Sequence, residues 1–259
     1  MAELGRYADL AVDLGDDFVA SIEIRRAPNN FFDQRLIAAL ADAMTALDAE
    51  PRCRAVVLAS EGKHFCAGAN FAKSEPGMGD VGNSLYDEAV RLFATRTPVV
   101  AAVQGAAIGG GLGLALWPDF RVAAPDARFS ANFARLGFHH GFGLSVTLPR
   151  AVGPQRALEL LYTGERIDGE RAHAIGLVDR LAPLAQVREA ARAFAAEIAA
   201  SGPLAIDSIR ETMRGQLAEE VRAATQRERA EQERLQHSAD FKEGVAAMAE
   251  RRPPAFRGR

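Results

Sequence analysis

Gly109, Gly110 and Gly111 stand between an apolar segment that opens at Pro98 and the apolar run Leu112–Leu116. That order is expected of a buried strand, a glycine turn and a helix start. Without Cβ atoms the turn lets a ligand approach the backbone, and the first N–H groups of a helix have no intrahelical acceptor. Such a turn can hold an anion or an oxygen on which negative charge develops. The same residues also suit a close strand–helix crossing that binds nothing. A second loop rich in small residues runs from Glu61 to Asn70 and contains His64, and Asn70 is placed to cap the segment after it. A third, Arg135–Gly143, carries the adjacent His139 and His140 among aromatic residues. Imidazoles titrate near neutral pH and can pass a proton, although a loop histidine also serves as a surface or structural group. His64 reads as a residue that packs its loop.

Several other chemistries are excluded. Thr97–Pro118 is uncharged and reaches the ~20 residues of a membrane helix. Pro98, Gln104 and five glycines break it into a short strand and a short helix, so no membrane partner is expected. The dinucleotide fingerprint fails because Leu114 or Leu116 occupies its third glycine position. No Gly-Lys-Ser/Thr motif is present, and no Cys/His group has zinc spacing, so neither a nucleotide-phosphate loop nor a metal is expected. A formal net charge of -3 and the lack of a basic cluster with interleaved aromatics argue against nucleic acid as a partner. Two cysteines, Cys53 and Cys66, and an N-terminus without an apolar signal core point to the reducing cytoplasm.

These residues need a scaffold, and 259 residues of which 48% are hydrophobic can bury one large core. Leu10, Val12 and Leu14 alternate, as do Phe18, Ala20, Ile22 and Ile24, across Asp16-Asp17, which predicts a hairpin. Asp33 caps a helix whose apolar face is Leu36, Ile37, Leu40, Met44 and Leu47. Ala55–Ala59 is an apolar strand, Ser74–Asn83 reads as a mobile loop, and a helix with Leu85, Ala89, Leu92 and Phe93 leads to the strand at Pro98. Short strands follow near Asp119 and Phe129, and from Pro154 onward the pattern is almost wholly helical. In Glu219–Arg234, Glu and Arg recur at the spacing of a solvated helix face.

The motifs fall in the order found in the crotonase superfamily, which this chain resembles nearly end to end. They are Phe65-Cys66-Ala67-Gly68-Ala69-Asn70, the Pro98–Gly105 segment leading to Gly109-Gly110-Gly111-Leu112, Asp119–Ala123, Arg150–Gly153, Leu161-Tyr162-Thr163-Gly164, Ala174–Asp179 and the tail Phe241–Phe256. The resemblance implies an α/β fold, a spiral of strand–strand–helix units with a C-terminal helical subdomain. It divides the chain into an acyl-CoA-binding core at 1–190 and a helical oligomerisation region at 191–259. It also implies an enoyl-CoA hydratase/isomerase-like enzyme that acts on an acyl-CoA thioester through an enolate. No cofactor is expected beyond the coenzyme A of the substrate, and a homotrimer or dimer of trimers is expected.

By the same resemblance, the thioester carbonyl rests between the backbone N–H groups of Ala69 and Gly110, within loops that include Ala67 and Gly68. Ala27, Pro28 and Asn29 wrap the adenine and pantetheine. Trp117, Phe133, Phe138 and Phe142 wall the acyl group, and Phe241 and Lys242 contact CoA from the helical tail. The departures are specific. A typical hydratase has glutamates at the positions held here by Gly113 and Phe133, and some relatives have a catalytic aspartate at the position of Gly141. None of the three residues can move a proton. His139 and His140 are the remaining acid–base candidates, and a non-catalytic acyl-CoA-binding homologue is the alternative.

Overall fold

The structure is a computed structural model that describes residue 5 and residues 7–69 and 81–259. β1 (Leu10–Leu14) and β2 (Val19–Ile24) form the expected antiparallel hairpin, with Leu10 opposite Ile24 and Leu14 opposite Ala20. Asp33 caps α1 (Gln34–Asp48) by accepting the Leu36 N–H, and Leu36, Ile37, Leu40, Met44 and Leu47 are all buried. β3 (Ala55–Ser60) and β4 (Val99–Val103) are buried along their full length. Such continuous apolar runs belong to parallel strands covered on both faces.

Asn70 and residues 74–80 lie outside the described residues. Residues 81–83, expected to end a loop, instead open α2 (Val81–Phe93). β5 (Ala106–Ile108), α3 (Gly110–Leu116), β6 (Phe120–Ala123) and β7 (Arg128–Ser130) follow. Next come α4 (Leu144–Val152), α5 (Pro154–Thr163), β8 (Ile167–Asp168), α6 (Gly169–Ala174) and β9 (Arg180–Leu181). Four further helices end the chain: α7 (Val187–Ala199), α8 (Pro203–Arg214), α9 (Leu217–Leu235) and α10 (Ala239–Glu250). The first sheet has the order β1-β2-β3-β4-β6-β9 and the second β5-β7-β8. Four of these strands, β5, β7, β8 and β9, have only two or three residues. They are too short to carry an alternation in sequence and exist because a neighbouring strand pairs with them.

α7 packs across β2, β3, β4 and β6, burying Val187, Ala191, Ala195 and Ala199. The 190/191 boundary therefore falls inside a helix of the main core. Leu217 and Val221 of α9 join the same core. α8 is attached differently, because none of its residues is buried. Arg210 and Arg214 on α8 pair with Asp119 at 3.0 and 3.2 Å, and Asp119 also accepts the Val99 N–H at 2.9 Å. No described helix is long and apolar enough to cross a membrane.

Candidate functional site

Three segments converge beside the start of α3. Phe32 N–H donates to the Gly68 carbonyl at 3.0 Å, Ala67 N–H to the Asn29 carbonyl at 2.9 Å, and Ile108 N–H to the Cys66 carbonyl at 3.0 Å. Asn30, fully buried, fixes the first segment to the second by donating to the carbonyls of Glu61 (2.9 Å) and His64 (2.7 Å). Gly68 has φ +87, and a Cβ there would lie 2.8 Å from the Ile108 carbonyl oxygen and 3.6 Å from the Gly110 nitrogen. Only glycine lets these backbones approach so closely. Gly109, at φ +58, turns the chain from β5 into α3 while its N–H donates to the Ser130 carbonyl at 2.8 Å.

Two donors remain on this surface. The Phe32–Gly68 bond uses the carbonyl side of the Phe32–Ala69 bridge, and the Ala69 N–H makes no hydrogen bond among the described residues. The same is true of the Gly110 N–H at the first position of α3. The Cys66 thiol in this loop is fully enclosed, and burial pushes its pKa up to about 12, so it stays protonated.

Aromatic rings occupy the surroundings of the turn. Phe32 stands against the Cα of Gly110, and its ring centroid is 5.3 Å from that of Phe142. A Cβ on Gly113 would lie 2.7 Å from Phe142 Cβ, and one on Gly109 would lie 3.8 Å from Phe133 Cζ. A side chain at Gly141 would meet the Tyr86 hydroxyl. Two of the positions that lack a carboxylate, Gly113 and Gly141, are thus packed by aromatic side chains, and the third is itself an aromatic residue, Phe133.

His139 and His140 stack at 4.2 Å. His140 meets Phe133 edge-on at 6.5 Å, shares a 2.8 Å hydrogen bond between its Nε2 and Ser145 Oγ, and lies 4.0 Å from Glu228. Burial, reinforced by His139, lowers its pKa to about 4, so the imidazole is neutral at neutral pH. Glu228 is an exception on α9, where Glu219, Arg222, Arg227, Glu233 and Arg234 form the expected solvated face. Its side chain is fully buried and accepts the N–H groups of Gly143 and Ser145, each at 2.9 Å, at the start of α4. Burial raises its pKa despite these bonds. Tyr86, also pushed up by burial, donates to Gln232 Oε1 at 2.6 Å, and Gln232 Nε2 donates to the His139 carbonyl at 3.0 Å.

A cleft of about 810 Å³ is lined by Asn29, Ala67 and Ile108 and by Lys63, Arg128, Arg166 and Arg188, with Asp126 the one lining carboxylate among the described residues. Ala27 and Pro28, joined by a cis peptide, precede Asn29 at this rim. The remaining residues named from the sequence sit elsewhere. Trp117 is fully buried beyond the last turn of α3, its indole donating to the Leu92 carbonyl at 2.5 Å. Phe138 packs on Phe241 with centroids 4.6 Å apart, and Lys242 follows on the exposed side of α10.

Phe32, Asn30, Tyr86, Glu228 and the cationic lining were not found from sequence. Glu228 sits in a helix dense with Glu and Arg, where no local signal separates a buried carboxylate from its exposed neighbours.

Residues 15–259 match the family described as enoyl-CoA hydratase/isomerase. A Bacillus subtilis protein named probable enoyl-CoA hydratase is 33% identical over 249 residues, covering 94% of this chain and 96% of its own. A Salmonella typhi carnitinyl-CoA dehydratase is 31% identical over 249 residues, 93% of this chain and 95% of its own. The crystal structure of an enoyl-CoA hydratase/isomerase from Pseudoalteromonas atlantica superposes with a TM-score of 0.86 at 33% identity, covering 96% of this chain and all of that one. Two sheets, a helical tail and a site built from converging backbone loops make this a crotonase-type α/β fold. The chain belongs to the enoyl-CoA hydratase/isomerase family.

Proposed function

We propose that the protein is an enzyme that binds an acyl-CoA thioester, holds its carbonyl oxygen at the Ala69 and Gly110 N–H groups, and stabilises an enolate without the two-glutamate pair of a standard hydratase. The observation that carries this reading is the pair of backbone donors, unpaired among the described residues, on loops that touch at Gly68. A donor fixed where an oxyanion develops is typically worth ~10²–10³ in rate. The cationic cleft supports the same reading, since Lys63, Arg128, Arg166 and Arg188 suit the phosphates of coenzyme A. Ala27, Pro28 and Asn29 would line the adenine and pantetheine, with Phe133 and Phe142 against the acyl group. Phe241 and Lys242 would approach CoA from the helical tail of a trimer. His139 and His140 are the proton-transferring candidates, and the neutral His140 imidazole is able to accept a proton. Both cysteines are free, in keeping with a cytoplasmic setting.

One observation favours a second reading, a binding protein without catalysis: aromatic side chains pack against Gly113 and Gly141, and the third carboxylate position is Phe133. Infrared difference spectroscopy with carbonyl-labelled crotonyl-CoA and acetoacetyl-CoA, alongside calorimetry, tests the carbonyl site. Binding with a thioester carbonyl band shifted to lower frequency is expected. Binding by neither thioester overturns the proposal, and binding without turnover of any thioester tried selects the second reading.

A further inference from the structure

Phe142 has φ +61, the left-handed region that bulky side chains rarely adopt. Such a conformation persists only where its surroundings enforce it, and it marks places where the backbone aims a side chain. Two polar groups from distant helices enforce it here. On one side the Phe142 amide faces the Tyr86 hydroxyl, which is itself held by Gln232. On the other, the fully buried Glu228 carboxylate takes the next two free amides, Gly143 and Ser145, at 2.9 Å each. Burying a carboxylate is costly unless bonds compensate it. Glu228 spends its bonds on this turn.

The ring is thereby driven onto α3. A Cβ on Gly113 would lie 2.7 to 3.0 Å from Phe142 Cβ, Cδ1 and Cγ, and the ring packs against Phe32, whose own ring stands at Gly110. Gly110 and Gly113 are three residues apart and share one face of α3. An acyl group that leaves the Gly110 amide along this face runs between Phe32, at Gly110, and Phe142, at Gly113. We infer that Phe142 sets the size of the acyl group this protein accepts, and that Glu228 and Tyr86 are positioning residues that hold it there. This rests on the acyl-CoA reading above.

The test compares octanoyl-CoA with crotonyl-CoA, with free CoA as control, each by calorimetry. In Phe142→Gly the backbone keeps an allowed φ +61 and the ring is lost. The ratio of dissociation constants, octanoyl over crotonyl, is expected to fall at least tenfold, in line with one or more methylenes admitted to an apolar pocket. Affinity for free CoA is expected to stay within twofold. Glu228→Gln presents an NH₂ to one of the two amides and is expected to move the ratio in the same direction, again with CoA unchanged. Tyr86→Phe decides the same point if Glu228→Gln does not fold. An unchanged ratio in folded Phe142→Gly overturns the role of Phe142. A shift in Phe142→Gly with none in the clamp variants overturns the positioning role. Free CoA binding without any acyl-chain discrimination in wild type or variants also sinks the inference, whereas failure of wild type to bind CoA or either thioester removes the acyl-CoA reading and the inference with it.

Discussion

A Cβ on Gly113 would sit 2.7 Å from the Cβ of Phe142, closer than side-chain carbons approach one another. Both are main-chain-proximal atoms, so no rotamer change relieves the contact. Overpacking of this kind costs about 1–3 kcal/mol, and Gly113→Ala is expected to lower Tm by roughly 2–10 °C. Gly113→Glu, which restores a carboxylate typical of relatives, is expected to be at least as unstable and to gain no crotonyl-CoA hydration. Differential scanning calorimetry and a hydration assay check both, and an unchanged Tm in Gly113→Ala shows that Phe142 yields freely.

Crotonyl-CoA hydration by the wild-type protein is expected to be absent or very slow, because an acid–base group is worth ~10²–10⁴ and Gly113 and Phe133 supply none. Activity on another thioester is expected to depend on His140 or His139. Replacing each by Ala and by Gln separates the roles. Loss with Ala and rescue by Gln means substrate positioning, and loss with both means proton transfer. Hydration at the rate of glutamate-bearing relatives, unchanged in all four variants, means that the proton-transfer groups lie elsewhere.

Stability is expected to fall on mild acidification through His140. Its folded pKa of about 4 lies below the ordinary value, so the unfolded chain takes up the proton first as pH drops below 6.5. The loss is about 1–2 kcal/mol by pH 5 and is complete once pH passes the folded value. Glu228, 4.0 Å away, acts with the opposite sign, since its raised pKa returns stability as pH falls through that value. His139, Tyr86 and the Ser145 hydroxyl are the other polar groups facing this pair. Denaturant midpoints of wild type and His140→Gln at pH 7 and pH 5 isolate the histidine part. The wild-type advantage shrinks by that amount if the assignment holds, and a constant difference removes it.

α8 exposes Leu204 at 84%, Met213 at 75% and Ile209 at 59%, with no buried residue of its own. Large apolar side chains exposed to this extent call for a partner. Self-association to a trimer or hexamer is expected by light scattering at micromolar concentration, and Leu204→Asp with Met213→Asp is expected to release smaller species. A wild-type monomer under those conditions defeats the expectation.

The sequence by itself determined the elements whose signal is local. The hairpin Leu10–Ile24, the Asp33 cap with its five buried positions, and the glycine start of α3 follow from alternation, capping chemistry and the lack of Cβ atoms. Ala69 and Gly110 were named through the resemblance of their loops to those of the crotonase superfamily, and their carbonyl-binding role stands as the proposal made above. Tertiary structure alone decided what fills the space that the carboxylates leave. Phe142 reaches Gly113 from 29 residues further along the chain. Glu228 reaches the turn that aims it from a helix 85 residues beyond Gly143. Neither contact has a period or a motif, because burial of a charge depends on which surfaces the fold brings over it, and in an arginine- and glutamate-rich helix every carboxylate reads alike until that packing is known.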